Sequence, residues 1–256
     1  MDGVIYRLNE FIRPTDRRGL IVDSSAGLAL GALPGLEDYA QGVKPVLPIA
    51  DGLVCSPGQL RRLGARTRAE AALLVRMDWS NTLRGADFVL PPAEPKRLAL
   101  LSPQDALDLG AAGMVSSFLL GYPEEIEAAC LKTTVQWALE GKALGLPLVV
   151  EVRPSGPRVM LPEKAIELGA SYALEGGADV IVVPNPGHKS LESLAAFLSV
   201  PWLVKGASLQ SAAAELDEAL VYGAAGLWLD QAVFAAPEPA AALRSLAERV
   251  HTPRAA

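Results

Sequence analysis

One lysine in the C-terminal part of the chain stands where an enzyme could use an amine as a nucleophile. Lys205 follows the apolar run Trp202–Val204 and precedes Gly206. In a partly desolvated cavity the charged form of an amine is disfavoured, which lowers its pKa and allows it to attack a carbonyl carbon. In the alternative role, Lys205 forms an ion pair with Asp230 or Glu151, keeps its charge and braces the surrounding structure. The residue types alone are compatible with both roles.

Carboxylates and arginines follow other apolar runs of the chain. Asp23, Glu151 and Asp230 are the candidates for the proton transfers that a catalytic lysine requires. Arginine binds carboxylates and phosphates through two parallel hydrogen bonds, and it pairs equally well with carboxylates of its own chain. The side chains that we predict to bind the substrate are Arg76, Arg153, Ser208 and Asn185.

Cysteine and histidine offer little further chemistry. Cys55 has no candidate base nearby, and we predict that both Cys55 and Cys130 are packing residues in a reducing compartment. His188 could transfer protons near neutral pH, or it could lie exposed in a loop. Because the sequence contains no HxH, HxxxH or Cys/His cluster, we expect neither a metal site nor a cofactor.

The composition is that of a globular protein with one large core. A chain of 256 residues, 50% of them hydrophobic, predicts a single domain over 1–256. Its mean hydropathy is +0.26, but no run approaches the roughly 18 apolar residues of a spanning helix. The charged N-terminal segment does not resemble a secretory signal, so we expect a cytoplasmic protein without a membrane partner. A net charge of −6 without a basic cluster predicts no nucleic-acid partner.

Short apolar runs alternate with helix-length segments along nearly the whole chain. This alternation is typical of βα units and a parallel sheet. The first run is not followed by a GxGxxG turn, which argues against an open doubly wound sheet. We predict a single (β/α)₈ barrel, or TIM barrel, whose strands are Leu20–Val22, Leu53–Cys55, Ala72–Val75, Met114–Ser116, Pro147–Val150, Val180–Val183, Trp202–Val204 and Leu227–Leu229.

The segments between these runs carry helix boundary signals. Pro123–Leu144 opens with a proline and two glutamates and stops at Gly145, as a helix would. Glycines before four strands, in GAAGMV, GGADVIV, GAAGLWL and IADGLVC, are predicted to end the preceding helix in the left-handed conformation. The stripe Ile126, Cys130, Thr133 and Trp137 could pack on the barrel or on a neighbouring copy, and we expect a homo-oligomer.

A barrel of this kind places its chemistry where the strands end and the loops to the helices begin. Both signs of charge are therefore expected to meet at one end of the barrel. The residues expected at this end are Asp23, Ser24, Ser25, Cys55, Ser56, Arg76, Asp78, Ser116, Ser117, Glu151, Arg153, Asn185, His188, Lys205, Ser208, Asp230 and Gln231.

The order of these motifs resembles the archaeal-type class I fructose-bisphosphate aldolase family. The resemblance covers most of the chain, through LIVDSSAG, GAAGMVSSFLLGYPEEIEAACLKTT, GLPLVVEVRPSG, GGADVIVVPNPG, VPWLVKGAS and GAAGLWLDQAVF. It implies a TIM barrel and carbonyl chemistry through a lysine Schiff base. The family ends its first strand in Asp-His-Gly, and here Asp23 keeps the carboxylate while Ser24 and Ser25 follow it.

Other family positions carry different residues in this chain. The family's Lys-x-Lys pair on the sixth strand, one member of which forms the Schiff base, falls on Val182 and Pro184. Arg153 takes the place of an aromatic acid/base residue after the fifth strand. A Gly-Arg pair of the family's phosphate site is replaced by Asp230 and Gln231, which places a like charge where a phosphate would bind.

Three functions remain compatible with the sequence. The first is an aldolase-like lyase in which Lys205, one strand along from the family position, forms a Schiff base with a small carbonyl or sugar-like compound. In the second, a non-catalytic relative binds a small metabolite or a protein partner through the same mouth. The third is an isomerisation or cofactor-free hydrolysis by Asp23, Glu151 and Asp230, with Lys205 as an electrostatic stabiliser.

Overall fold

Eight parallel strands close a barrel in the computed structural model, which describes residues 3–63 and 70–252. All eight predicted strands are confirmed, although the fifth begins at Leu148 and not at Pro147. Around the barrel the order is β1-β10-β9-β8-β7-β6-β3-β2. The strands in chain order are β1 (Gly19–Asp23), β2 (Gly52–Cys55), β3 (Ala72–Arg76), β4 (Asp78–Ser80), β5 (Arg97–Ala99), β6 (Gly113–Leu119), β7 (Leu148–Arg153), β8 (Val180–Pro184), β9 (Trp202–Lys205) and β10 (Gly226–Leu229).

Helices surround the barrel and connect its strands. The segment between β3 and β6 also forms the antiparallel hairpin β4–β5. None of the helices in the described ranges is long and apolar enough to cross a membrane. The helices are α1 (Gly3–Leu8), α2 (Gly27–Leu30), α3 (Tyr39–Val43), α4 (Pro57–Leu63), α5 (Pro103–Asp108), α6 (Glu124–Leu144), α7 (Pro162–Glu175), α8 (His188–Phe197), α9 (Ala212–Val221) and α10 (Pro239–His251).

The predicted helix from Pro123 is confirmed as α6, with Pro123 at its N-cap and Gly145 left-handed at its C-cap. Two of the four predicted stripe residues, Cys130 and Trp137, are buried, and Ile126 is half-buried. Thr134 is buried and Thr133 is only half-buried. Thr134 lies four residues after Cys130, on the same helix face, whereas Thr133 turns toward the solvent side.

Three of the four predicted left-handed glycines are present. Gly110, Gly177 and Gly223 have φ values of 75°, 91° and 83°. In the Gly-Gly pair it is the second glycine that is left-handed, since the first still has helical φ and ψ. The fourth prediction is wrong, because Gly52 has no positive φ and lies inside β2.

Two apolar clusters show which way each strand residue points. One takes alternate residues from all eight barrel strands, among them Ile21, Val149, Val182, Leu203 and Trp228, and is the barrel interior. The other lies between the sheet and the helices. Side chains on a strand alternate with a period of two, so residues two positions after an interior residue also face inward, one layer nearer the mouth. This parity selects Asp23, Arg76, Ser117, Glu151, Pro184, Lys205 and Asp230.

The opposite end of the barrel is held by a histidine between two carboxylates. His251, the last residue of α10, lies 2.7 Å from Asp16 through Nδ1 and 2.9 Å from Asp51 through Nε2. Burial lowers the pKa of His251, but its hydrogen bonds to Asp51 and Asp16 outweigh burial, and the net effect raises it. Arg13 forms an ion pair with the other oxygen of Asp51.

This cluster is expected to make stability depend on pH. A raised histidine pKa stabilises the fold fully below the ordinary value of 6.5, and the contribution is lost as pH rises through the folded-state pKa. We predict that His251→Gln lowers the free energy of unfolding by about 1 to 2 kcal/mol at pH 6 and by less at pH 8.5. Urea unfolding of both proteins across this range measures the difference, and a difference independent of pH would contradict the prediction.

Candidate active site

A cavity of about 80 Å³ opens at the carboxyl ends of the barrel strands. Most of the inward-facing polar residues selected by strand parity line it, together with hairpin and loop residues around the rim. The polar and charged side chains that line the cavity include Asp23, Ser25, Arg76, Asp78, Ser117, Glu151, Arg153, Lys205, Asp230 and Gln231.

Arg76 is the buried centre of this cavity wall. Its NH2 atom lies 2.5 Å from Asp23 Oδ2 and 3.0 Å from Glu151 Oε2. Its Nε donates to the Ser25 hydroxyl and its NH1 to the Ser117 hydroxyl, both at 3.1 Å. Burial opposes the charge of Arg76, but Asp23 and Glu151 outweigh it and raise the pKa of Arg76 above its ordinary value. Every nitrogen of this guanidinium therefore has a partner.

Lys205 forms its ion pair with Glu151. The distance from Lys205 Nζ to Glu151 Oε1 is 2.7 Å, and the exposed fractions of the two side chains are 25% and 3%. Burial favours the neutral acid, but Lys205 and then Arg76 outweigh it, so the pKa of Glu151 is well below its ordinary value. Of the two partners expected for Lys205, the structure brings Glu151 into contact.

The ion pair spans a strand that contributes no polar side chain to the barrel interior. β8 lies between β7 and β9, with Glu151 in register with Val182 and Lys205 in register with Pro184. Val182 is fully buried in the interior cluster. Because neither Val182 nor Pro184 carries a long polar side chain, Lys205 reaches across β8 to Glu151. The contact thus forms over Val182 and Pro184.

Arg153 and Asp230 also line the cavity, and their side chains form fewer hydrogen bonds and ion pairs than those of Arg76 and Lys205 do. The Arg153 side chain forms no hydrogen bond or ion pair with any residue of the ranges 3–63 and 70–252, although its charge helps to lower the pKa of Glu151. Asp230 Oδ1 accepts from the Ala232 backbone N–H at 2.9 Å and begins a short 3₁₀ helix, Gln231–Val233. Both side chains are half-buried.

Two residues predicted to bind substrate lie outside the cavity lining. Ser208 accepts a hydrogen bond from the Ser211 backbone N–H at 3.1 Å, and so orders the turn before α9. Asn185 accepts one from Gly187 N–H at 3.0 Å and donates to Glu218 at 3.4 Å. Both residues follow the last strand residue, and hydrogen bonds within their own turns hold their side chains away from the cavity. The structure does not bring them to Lys205.

The thiols and His188 are also remote from this chemistry. Cys55 and Cys130 are free and buried. Burial raises the pKa of Cys55 to about 12, so its thiol stays protonated and packs as an apolar group. His188 is exposed and hydrogen-bonds the Tyr222 hydroxyl on the outer surface. In the part of the chain that the structure describes, no group of three His, Cys, Asp or Glu side chains could hold a metal ion.

A buried ion pair between the two strands of the hairpin β4–β5 lies beside the cavity, and the sequence analysis did not predict it. Arg97 Nε on β5 lies 2.9 Å from Asp78 Oδ2 on β4, and both side chains are almost fully buried. Asp78 accepts from the Ser117 backbone N–H at 2.9 Å, and Arg97 donates to the Ser116 hydroxyl. The hairpin thus fixes the strand that carries Ser117, a partner of Arg76. Asp78 was expected at the mouth, but no local pattern pointed to Arg97.

Comparisons with known proteins agree with the aldolase resemblance. No protein-family model matches the chain. It is 25% identical over 248 residues to an uncharacterized aldolase of Saccharolobus solfataricus, which covers 91% of this chain and 90% of that protein. It is 23% identical over 252 residues to the 3-hydroxy-5-phosphonooxypentane-2,4-dione thiolase of Escherichia coli K12, with 97% and 82% covered.

The fold matches solved aldolase structures over nearly the whole chain. A Schiff-base-forming fructose-1,6-bisphosphate aldolase superposes with a TM-score of 0.79 at 20% identity, covering 97% of this chain and 100% of the other. The fructose-bisphosphate aldolase of Slackia heliotrinireducens gives 0.76 at 18% identity, with 97% and 85% covered. The chain is thus similar in sequence to an aldolase and a thiolase, and it shares its barrel fold with solved fructose-bisphosphate aldolases.

Proposed function

We propose that the protein is an aldolase-like carbon–carbon lyase that forms a Schiff base between Lys205 and a small carbonyl compound. The observation that carries the proposal is the register of Lys205 with Pro184 on the neighbouring strand. Lys205 thus lies level with Pro184, one of the two positions to which the aldolase resemblance assigns a lysine, and faces the cavity one strand along. Its contact with Glu151 holds the amine at the cavity wall, and the amine must lose a proton before it attacks.

The reaction would follow the usual course of imine catalysis. Lys205 Nζ attacks the carbonyl carbon, and the carbinolamine loses water to give a protonated imine. A carboxylate removes the proton of the β-hydroxyl group, the adjacent C–C bond breaks, and its electron pair passes to the imine nitrogen to form an enamine. Protonation of the enamine carbon and hydrolysis of the imine then release the second product and free Lys205.

Asp230 is the carboxylate best placed to carry the β-hydroxyl proton. Both oxygens of Asp23 are used by Ser25 and Arg76, and those of Glu151 by Lys205 and Arg76. Asp230 accepts a single backbone hydrogen bond within the described ranges. One of its oxygens is therefore available to a substrate in the cavity.

Borohydride trapping tests the imine directly. We expect a reduced adduct on Lys205 after incubation with borohydride and a carbonyl panel that includes pyruvate and dihydroxyacetone phosphate. Peptide mass spectrometry locates the adduct, with the exposed Lys189 as an internal control for unselective labelling. Absence of a Lys205 adduct with every member of the panel, or equal labelling of Lys189, would reject the proposal.

The ion pair also favours a second candidate, a non-catalytic relative that binds a small metabolite. In that case the Lys205–Glu151 contact, at 2.7 Å, would only stabilise the mouth of the barrel, and Lys205 would stay charged. A thermal-shift screen separates the two functions. A stabilising ligand that is recovered unchanged after long incubation favours binding alone, and steady conversion of that ligand favours the lyase.

A further inference from the structure

Three cationic side chains line the cavity, and one of them forms no hydrogen bond or ion pair with the described residues. Arg76 contacts Asp23, Glu151 and two serines, and Lys205 contacts Glu151. Arg153 lines the same cavity, but its guanidinium has no hydrogen bond or ion pair in the described part of the chain. Its planar set of donors is therefore available for an anionic ligand.

The position of Arg153 relates it to the candidate nucleophile. Arg153 comes two residues after Glu151 on β7, and so faces the same side of the strand, about 6 to 7 Å nearer the mouth. Glu151 is the contact of Lys205. A small molecule whose anionic end lies on Arg153 would thus extend inward toward the Lys205 amine.

The charges of the cavity favour a carboxylate over a phosphate. One guanidinium balances one negative charge, whereas a phosphate monoester carries about −1.5 to −2 at neutral pH. The other cations are already balanced by Asp23 and Glu151, and Asp230 adds a further negative charge to the lining. A phosphate would therefore retain uncompensated charge in a small and partly desolvated site.

We infer that Arg153 binds the carboxylate of a short oxo acid whose carbonyl group faces Lys205. The inference rests on the proposed function for the role of the carbonyl, and it names the class of substrate and the residue that selects it. Arg153 acts here as a specificity-determining residue, because it distinguishes a carbonyl compound with a carboxylate from one that is uncharged or phosphorylated.

Calorimetric titration of four proteins with three probes tests this inference. The proteins are the wild type, Arg153→Gln, Arg153→Lys and Arg158→Gln, and the probes are pyruvate, hydroxyacetone and dihydroxyacetone phosphate. Arg158 is an exposed arginine five positions further along that does not line this cavity, so its substitution is a matched control. We expect pyruvate to bind the wild type more tightly than either other probe does.

The substitutions should change pyruvate binding selectively. Arg153→Gln is expected to raise the dissociation constant for pyruvate about 10- to 100-fold, with hydroxyacetone unaffected. Arg153→Lys should recover part of the affinity, because lysine keeps the charge without the two-pronged hydrogen bonding. Arg158→Gln should match the wild type. Because Arg153 has no ion pair within the described residues, melting temperatures should stay unchanged and exclude misfolding.

Several results would overturn the inference. These are an unchanged pyruvate affinity in Arg153→Gln, tighter binding of dihydroxyacetone phosphate than of pyruvate, and no binding of pyruvate to the wild type. Failure of the proposed function is separable, since it is measured by the borohydride adduct. Selective loss of pyruvate binding in Arg153→Gln without any Lys205 adduct would support the carboxylate site and reject the imine. A Lys205 adduct that needs the same pyruvate concentration for half-saturation in the wild type and in Arg153→Gln would support the imine and reject the carboxylate site.

Discussion

Replacing Lys205 with arginine is expected to abolish imine trapping and to lower the rate of substrate cleavage at least about a thousandfold, since a covalent nucleophile is lost. Arginine keeps a positive charge beside Glu151, so the ion pair that now measures 2.7 Å can be retained. A guanidinium is too weakly nucleophilic to form the imine. The substitution therefore separates covalent chemistry from charge stabilisation, and steady-state kinetics on a cleaved substrate measure it.

The control for this prediction is Lys189→Arg, a change at an exposed lysine on α8 that should leave the rate unaltered. Thermal unfolding should show that Lys205→Arg remains folded. If the arginine variant keeps most of the activity, Lys205 acts as a fixed charge. An isomerisation or hydrolysis run by Asp23, Glu151 and Asp230 would then explain the protein better than a Schiff-base reaction.

Replacing Arg76 with methionine should cause the largest loss of stability. The substitution preserves much of the volume but leaves Asp23 without its cation and Glu151 with Lys205 alone, in a wall where both carboxylates are buried. Removal of one partner from a buried ion pair costs about 3 to 5 kcal/mol, because the remaining charge is uncompensated. For a domain of this size that corresponds to a melting temperature lower by about 10 °C.

The stability lost in Arg76→Met is expected to depend on pH in a definite direction. A depressed glutamate pKa stabilises the fold above the ordinary value of 4.5, and that contribution is lost as pH falls through the folded-state pKa. In Arg76→Met the Glu151 carboxylate loses one of the two charges that lower its pKa, and it is protonated more readily. The deficit relative to the wild type should therefore be largest near pH 7 and should narrow below about pH 4.5.

Denaturant unfolding from about pH 2.5 to pH 7 measures this difference in stability. Arg158→Met is the matched control, because Arg158 is an exposed arginine whose contact with Glu124 is a weak surface pair. A loss below about 1 kcal/mol at pH 7 in Arg76→Met, or a deficit that does not narrow in acid, would show that the buried cluster contributes little to the fold.

The barrel could be predicted because its signals are local. Each strand is a short apolar run buried on both faces, and Gly110, Gly177 and Gly223 mark the turns before three of them by their positive φ. Strand parity then fixes which residues face inward. Once Val149 and Leu203 belong to the interior cluster, Glu151 and Lys205 must point into the mouth.

The contacts within the site were less predictable, because they join residues far apart in the chain. The Arg97–Asp78 pair depends on the pairing of β4 with β5. No periodic pattern of apolar residues in the sequence predicts that hairpin. Asn185 and Ser208 were predicted to bind the substrate, but they lie outside the cavity lining. They follow strands in sequence, but each lies beyond the last strand residue and is held by bonds within its own turn.

The sequence by itself determined the eight-stranded barrel, most of the charged residues at its mouth and the lack of a lysine at Val182 and Pro184, because these depend on composition, order and a period of two. Only the tertiary structure decided the partner of Lys205 and left Arg153 unpaired among the described residues. The physical reason is that ion pairing depends on distances across the closed sheet. Those distances follow from strand register and from the small side chains of β8, which allow Lys205 to reach Glu151.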